Sequence, residues 1–269
     1  METTGDTTQF PTLDRQMDPR FFIQYLDAGN ALEDIKRLKQ VMIAQLELHD
    51  GLHLLDIGCG TGDDVRALAQ VVGPRGRSVG LDASAVMIAE AQHRPAASGL
   101  SVAFVVGHAQ HLAFADASFD RCRAERVLMH LGDPECALAE MVRVVRPSGK
   151  IVIFDMDWGM MFVDSPYQET TRTILQAFSD GMRHGWIGRS LPRLLQAAGL
   201  ADVTCVPHTV HLDYAFAHRL FDGHLAKVRA AGVVSADECT RWWQHLAHAE
   251  AAGQFHAGQL GFVVSGRKR

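Results

Sequence analysis

The stretch LLDIGCGTGDD, residues 54–64, sets Gly58, Gly60 and Gly62 at every second position between an apolar run and the paired Asp63 and Asp64. A glycine-rich turn that leaves a strand and opens a helix usually cradles phosphate, because free backbone N–H groups and the positive end of the helix dipole face the ligand. The dinucleotide pattern G-x-G-x-x-G places its third glycine at the helix, and the spacing here is one residue shorter. Asp56, Asp63 and Asp64 would repel a pyrophosphate and suit a cationic ligand, and the last two also favour a helix amino terminus on their own account. Twenty residues past Gly62, SVGLD ends in Asp82. A carboxylate there can accept hydrogen bonds from both ribose hydroxyls and disfavours a 2′-phosphate. A positively charged cofactor fits these residues better than a nicotinamide dinucleotide. The chain also lacks a Tyr-x-x-x-Lys relay: Tyr25, Tyr167 and Tyr214 are followed four places on by Gly29, Thr171 and His218.

The elements that must position these residues alternate along the chain. LHLLDIG, RSVGLD, SVAFVVG, DRCRAE and KIVIFDM read as short buried strands, and DDVRALAQVV, SAVMIAEAQHR and ECALAEMVRVV read as helices between them. Pro147 and Gly149 close the last of these helices. Five such alternations predict an α/β fold with a doubly wound, Rossmann-like sheet. Two further strands, ADVTCVPHTVHL and QLGFVVSGRKR, bring the expected count to seven, with a helical stretch between them. The expected organisation is a loose tail over 1–16, helices over 17–50, a cofactor-binding core over 51–156, and a loop and helix bordering the substrate pocket over 157–200. A strand over 201–212, a helical lid over 213–252 and a last strand over 253–269 complete it. Ligands of open α/β sheets sit at the carboxyl ends of the strands near the topological switch point, which makes the loop 57–62 the expected site.

Composition narrows the partners. With 269 residues, 47% hydrophobic and 21% charged, the chain can bury a sizeable core. A net charge of −5 provides no basic footprint for nucleic acid. The opening METTGDTTQFPTLD has neither a basic n-region nor an apolar h-region, and no apolar run reaches the length of a membrane span. Cys59, Cys122, Cys136, Cys205 and Cys239 are odd in number and widely spaced, which suits a reducing cytoplasm. Of the histidine pairs three apart, only His245 and His248 fall on a predicted helix, and no ligand set for a metal follows. Cys59 lies in the glycine turn, but the acids around it oppose a reactive thiolate.

Five segments in order carry a family resemblance: the LLDIGCGTG turn, the acidic end of SVGLD, GHAQHLAFADASFD, AERVLMHLGDP and VVRPSGKIVIFD. Together they resemble the class I S-adenosylmethionine-dependent methyltransferases, nearest the small-molecule branch that includes the quinone C-methyltransferases. The resemblance is strong over roughly residues 30–155 and weaker for the closing FVVSGRKR. It implies a mostly parallel seven-stranded sheet with an antiparallel last strand, and S-adenosyl-L-methionine as cofactor. By position it implies that Asp56 binds the methionine ammonium, that Gly58, Cys59 and Gly60 contact the cofactor through the backbone, and that Asp82 holds the ribose. Ala83 and Met87 then flank the adenine, Gly107, His108 and Ala109 meet its edge, and Glu125 ends a strand beside the sulfonium. His108 stands where many relatives carry Asp. Tyr25 and Phe21 resemble aromatics that close over the cofactor.

The implied reaction is in-line displacement at a methyl carbon, for which a protein mostly supplies alignment and excludes water. His130, Glu125 and Asp157 are the candidate bases for an acceptor proton. Each also has a structural reading: His130 as a packing or capping group, Glu125 as a partner of backbone amides, Asp157 as a loop cap. Trp158, Met160, Met161, Phe162, Trp186, Phe216 and Phe221 are candidate pocket walls, or else fillers of the lid's own core. The expected function is methyl transfer to a small organic acceptor at carbon, oxygen or nitrogen, with a homodimer as one possible assembly. The alternatives are a protein that binds the cofactor without methyl transfer and, third, a nicotinamide oxidoreductase. The end of the fourth strand, AERV, lacks the Asn/Asp-Pro-Pro-aromatic signature of exocyclic amine methylation in nucleic acids.

Overall fold

A computed structural model describes Asp14, residues 20–95 and residues 97–269. The tail expected over 1–16 therefore lies, Asp14 apart, outside the described residues. Helices α1 (Arg20–Ala31) and α2 (Glu33–Leu46) precede the sheet, and α2 buries Ile35, Leu38, Met42 and Leu46, one stripe at three- and four-residue spacing. Strand β1 (His53–Ile57) then leads into α3 (Asp63–Val72), β2 (Arg77–Asp82) into α4 (Ala85–His93), and β3 (Val102–Val106) into a loop. Strand β4 (Phe119–Glu125) is followed by a 3-10 turn at Leu128–His130 and by α5 (Pro134–Val144). Asp133 caps α5 by accepting from Cys136 N–H, and Pro134 fills the first turn, where a missing N–H does no harm.

The seven strands lie in the order β3-β2-β1-β4-β5-β7-β6, where β5 is Val145–Val163, β6 Ala201–Leu212 and β7 Ala257–Arg267. Pairings from β3 through to β5 are parallel, and β7 runs antiparallel to both neighbours. The fold is thus the expected doubly wound, Rossmann-like α/β sheet with an antiparallel last strand. Its order reverses between β1 and β4, where a crevice opens at the carboxyl ends of the strands.

Helices α6 (Gln168–Gly181), α7 (Ile187–Ala197), α8 (Tyr214–Ala230) and α9 (Ala236–Ala251) complete the chain. Helix α9 starts with a reciprocal capping box between Ser235 and Glu238. Helices α8 and α9 pack on each other and on α6, and α8 reaches α1, with Phe216 stacked on Tyr25 at 5.1 Å between centroids. Among the described residues no helix is long and apolar enough to cross a membrane.

One segment differs from expectation. Residues 157–163, expected as loop, continue β5 and pair with β7 after a register shift between Asp157 and Met161. The run Asp-Trp-Gly-Met-Met-Phe has no clean period of two, and its partner strand lies about a hundred residues away, so local pattern cannot reveal the pairing. Trp158, Gly159 and Met160 bulge out of the ladder, and Trp158 N–H donates instead to the Gly185 carbonyl at 2.8 Å. That bulge turns Trp158 inward, where it is 3% exposed.

Candidate active site

The glycine turn is built on positive backbone angles. Gly58, Gly60 and Gly62 have φ of 69°, 51° and 76°, a region that side chains with a Cβ rarely adopt. A Cβ on Gly58 would lie 2.3 Å from Val127 Cγ2. The turn is pinned to β2: Gly58 and Cys59 N–H both donate to the Leu81 carbonyl, at 2.7 and 3.0 Å. The Asp82 carboxylate accepts from Gly60 N–H and from Ser84 N–H, both at 2.9 Å. Each of its oxygens retains lone pairs toward the cavity. Burial raises the Asp82 pKa against the pull of these donors. The Cys59 thiol is pushed far above its usual value by burial and by Asp56 and Asp82, which leaves it inert as a nucleophile.

A cavity of about 530 Å³ runs along the carboxyl edge of the sheet. Its first end is lined by Asp56, Gly58, Cys59, Gly60, Asp82, Ala83, Met87, Gly107, His108 and Ala109, all expected at a cofactor. Asp14 closes this end: its carboxylate accepts from the Ala85 N–H and the Ser84 hydroxyl. Tyr25, Glu125, His130, Trp158 and Phe216 also line the cavity. Burial, opposed by Arg126, pushes the Tyr25 hydroxyl up to about 12, so it stays protonated.

Five expected site residues lie elsewhere. Asp157 is fully buried but faces away from the cavity, in an ion pair with Arg189 whose second contact is 2.5 Å. A carboxylate so engaged has no route to an acceptor proton. Trp186 is 55% exposed, with the Arg189 guanidinium 4.4 Å above its ring. Phe162 packs on His211 and His256, and Met161 sits beside it in the far register of β5. Phe21 belongs to a small cluster with Phe22 and Met87. Of the other aromatic and methionine candidates, Phe221 is buried against Phe178 and Trp242, and Met160 is exposed.

The acids around the glycine turn are not bare. Asp63 pairs with Arg66 and Arg94 at 2.5 and 2.8 Å. Asp64 pairs with Lys39 and with Arg123, the latter at 3.2 Å. Arg123, 2% exposed on β4, also reaches Glu125 at 2.5 Å and Asp56 at 3.4 Å. Glu125 further contacts Arg126 at 3.1 Å and Lys39 at 3.5 Å. Burial works to raise the Glu125 pKa, but Lys39, Arg126 and Arg123 outweigh it and hold the carboxyl well below its usual range. Glu125 is therefore an anchor of the ion network and a poor base. Asp56 shows the opposite balance: burial, with Asp64 and Glu125 nearby, pushes it up to about 7 although Arg123 opposes this.

His130 is set in place by the chain around it. The fully buried Asp155 accepts the Leu128 N–H at 3.0 Å and so holds the 3-10 turn against β5. Burial pushes Asp155 up to about 8, against the N–H donors of Leu128 and Met129. Arg126, with a left-handed φ of 58°, ends β4 beside the turn. Burial, then the Arg126 charge, pushes the His130 imidazole down to about 4, so it is neutral at physiological pH.

The periodic pattern did not indicate Lys39, Arg123 or Asp155. One signal was present: in DRCRAE two arginines interrupt a strand otherwise buried on both faces, and buried charges need partners. Among the described residues no three side chains of metal-binding type converge.

The glycine turn at the switch point, the acid Asp82 at the end of β2 and the antiparallel closing strand place the protein among the class I S-adenosylmethionine-dependent methyltransferases. The methyltransferase domain model matches residues 48–199, and the chain belongs to that family. It is 37% identical, over 90% of its own length and 70% of the relative's, to an uncharacterized 37.1 kDa protein in transposon TN4556 of Streptomyces fradiae. It is 31% identical to the demethylmenaquinone methyltransferase of Geobacillus stearothermophilus, over 67% of this chain and 86% of that one. The YcgJ protein of Bacillus subtilis shares the fold, with a TM-score of 0.58 at 21% identity, over 86% of this chain and 97% of that one.

The residues present fit S-adenosylmethionine. A turn with no room for a Cβ admits close backbone approach, Asp82 offers acceptors to a diol, and Asp56 lies in reach of a cationic ammonium.

Proposed function

We propose that this chain transfers a methyl group from S-adenosylmethionine to a small organic acceptor enclosed in the cavity, with His130 as the acceptor's base. The observation that carries this reading is that one cavity is lined both by the glycine turn and Asp82 and by Glu125, His130, Trp158, Met182 and Phe216. When bound, the cofactor supplies a methyl on a sulfonium for in-line displacement. Gly58 and Gly60 approach it through their backbone, Asp82 takes the ribose hydroxyls and Asp56 takes the ammonium. Tyr25 and Phe216, stacked on each other in the cavity wall, exclude water. His130 lines the same cavity as a neutral imidazole, and its pKa of about 4 makes it a weak base, so it takes the acceptor's proton only as the methyl group transfers. A cavity of about 530 Å³ and a net charge of −5 support a small acceptor over nucleic acid. The similarity to a demethylmenaquinone methyltransferase supports a ring-shaped acceptor.

The test is incubation with methyl-labelled S-adenosylmethionine and a panel of phenols, hydroquinones and amines, read by mass spectrometry of the acceptors. Labelled product is expected, abolished by Asp82→Ala and reduced about 10²–10⁴-fold by His130→Ala if proton transfer limits the rate. Tight cofactor binding with no labelled acceptor from any class would favour a cofactor-binding protein without methyl transfer.

A further inference from the structure

The cavity lining includes two polar groups, Gln259 and Arg183, to which the cofactor reading gives no role. Gln259, on β7, is 3% exposed and lines the cavity with Val210 of β6, its partner in the strand register. Its carboxamide oxygen is buried with no hydrogen-bond partner. Buried polar groups without partners are rare and costly. Arg183, exposed just past the end of α6, lines the same cavity, with Nη1 3.5 Å from where a Cβ on Gly132 would lie. That puts its guanidinium over the segment that begins at His130. Arg123, Arg126 and Arg189 each have a carboxylate partner. Among the described residues, no carboxylate pairs with Arg183. The same cavity is lined by the apolar Met156, Trp158, Met182 and Val210.

We propose that Gln259 and Arg183 form an acceptor subsite for a flat apolar molecule that bears a hydroxyl at one end and a carboxylate at the other. The hydroxyl hydrogen-bonds to the carboxamide of the buried Gln259, and the carboxylate pairs with the guanidinium of the exposed Arg183, whose planar fork allows two parallel hydrogen bonds. The body of the molecule then lies against Trp158 and beside His130. This rests on the methyl-transfer reading, because it names the class of acceptor for that same site.

The experiment is calorimetric titration of the whole protein, saturated with S-adenosylhomocysteine, with 6-hydroxy-2-naphthoate, 2-naphthol and 2-naphthoate. The hydroxynaphthoate is expected to bind at least tenfold tighter than either single-function probe. Arg183→Leu should erase its advantage over 2-naphthol, and Gln259→Met its advantage over 2-naphthoate. Thermal unfolding of ligand-free Gln259→Met separates the roles. A side chain kept for the ligand leaves Tm unchanged or higher when its orphan oxygen is removed, whereas a scaffolding role lowers it. Equal binding of the three probes, an unchanged order in both variants, or no binding of any probe to the loaded protein overturns the proposal. The wild-type order alone decides if a variant fails to fold. Failure to bind S-adenosylhomocysteine at all would instead remove the methyl-transfer reading beneath it.

Discussion

Cofactor affinity should depend on pH through Asp56. The carboxyl is buried between Arg123, 3.4 Å away, and the like charges of Asp64 and Glu125, and its pKa of about 7 leaves it half protonated near neutrality. A cationic ammonium beside it binds the ionised form. A group with a pKa of about 7 is roughly one tenth ionised at pH 6 and about nine tenths at pH 8. Affinity for S-adenosylhomocysteine, which keeps the ammonium, should therefore rise about tenfold from pH 6 to pH 8, with release of roughly half a proton per ligand at pH 7. The sign is reversed for the empty protein. A raised carboxyl pKa contributes stability that is present below the unfolded value of about 4 and lost as pH rises through about 7. Calorimetry in two buffers of different ionisation enthalpy measures both quantities. Asp56→Asn shares the ligand's own titration but has no proton to lose, so its affinity should be about tenfold lower at pH 8 and independent of pH. Flat wild-type affinity with no buffer-dependent heat would refute the placement of the ammonium at Asp56.

Asp155 should behave as a positioning residue with its own pH signature. Its contribution to stability is present below about pH 4 and lost as pH rises through about 8, so the Tm of Asp155→Asn should fall less than wild type between pH 5 and 8.5. Asp155→Ala leaves the Leu128 N–H without its acceptor and should lose about 1–3 kcal/mol, roughly 2–10 °C in Tm. Gly58→Ala, at φ 69° with Val127 Cγ2 2.3 Å from the new Cβ, should lower cofactor affinity more than about tenfold. Gly51→Ala, at φ 90° with nothing within 4 Å, should cost only about 1 kcal/mol of stability and leave titrations unchanged.

The sequence by itself determined the alternation of strands and helices, the glycine turn and the acid at the end of β2. These rest on contacts between residues close in the chain: DDVRALAQVV forms α3 over the same ten residues that its period indicates, and Asp82 follows the turn within one β-α-β unit. The same local logic read Asp63 and Asp64 as free negative charge, because their cations, Lys39, Arg94 and Arg123, arrive from α2, the end of α4 and β4. Trp158 and Asp157 are adjacent in the chain, yet only tertiary structure decided which one reaches the cavity. A bulge against a strand that begins at Ala257 turns Trp158 inward, and Arg189 of α7 ties Asp157 on the other side. Gln259 and Arg183 carry no signal along the chain, since a carboxamide without a partner and a guanidinium without a carboxylate are defined only by what surrounds them. Pattern encodes which face of an element is apolar, but the partner of each buried charge is set by the packing of elements far apart in sequence, where low dielectric makes each pairing count.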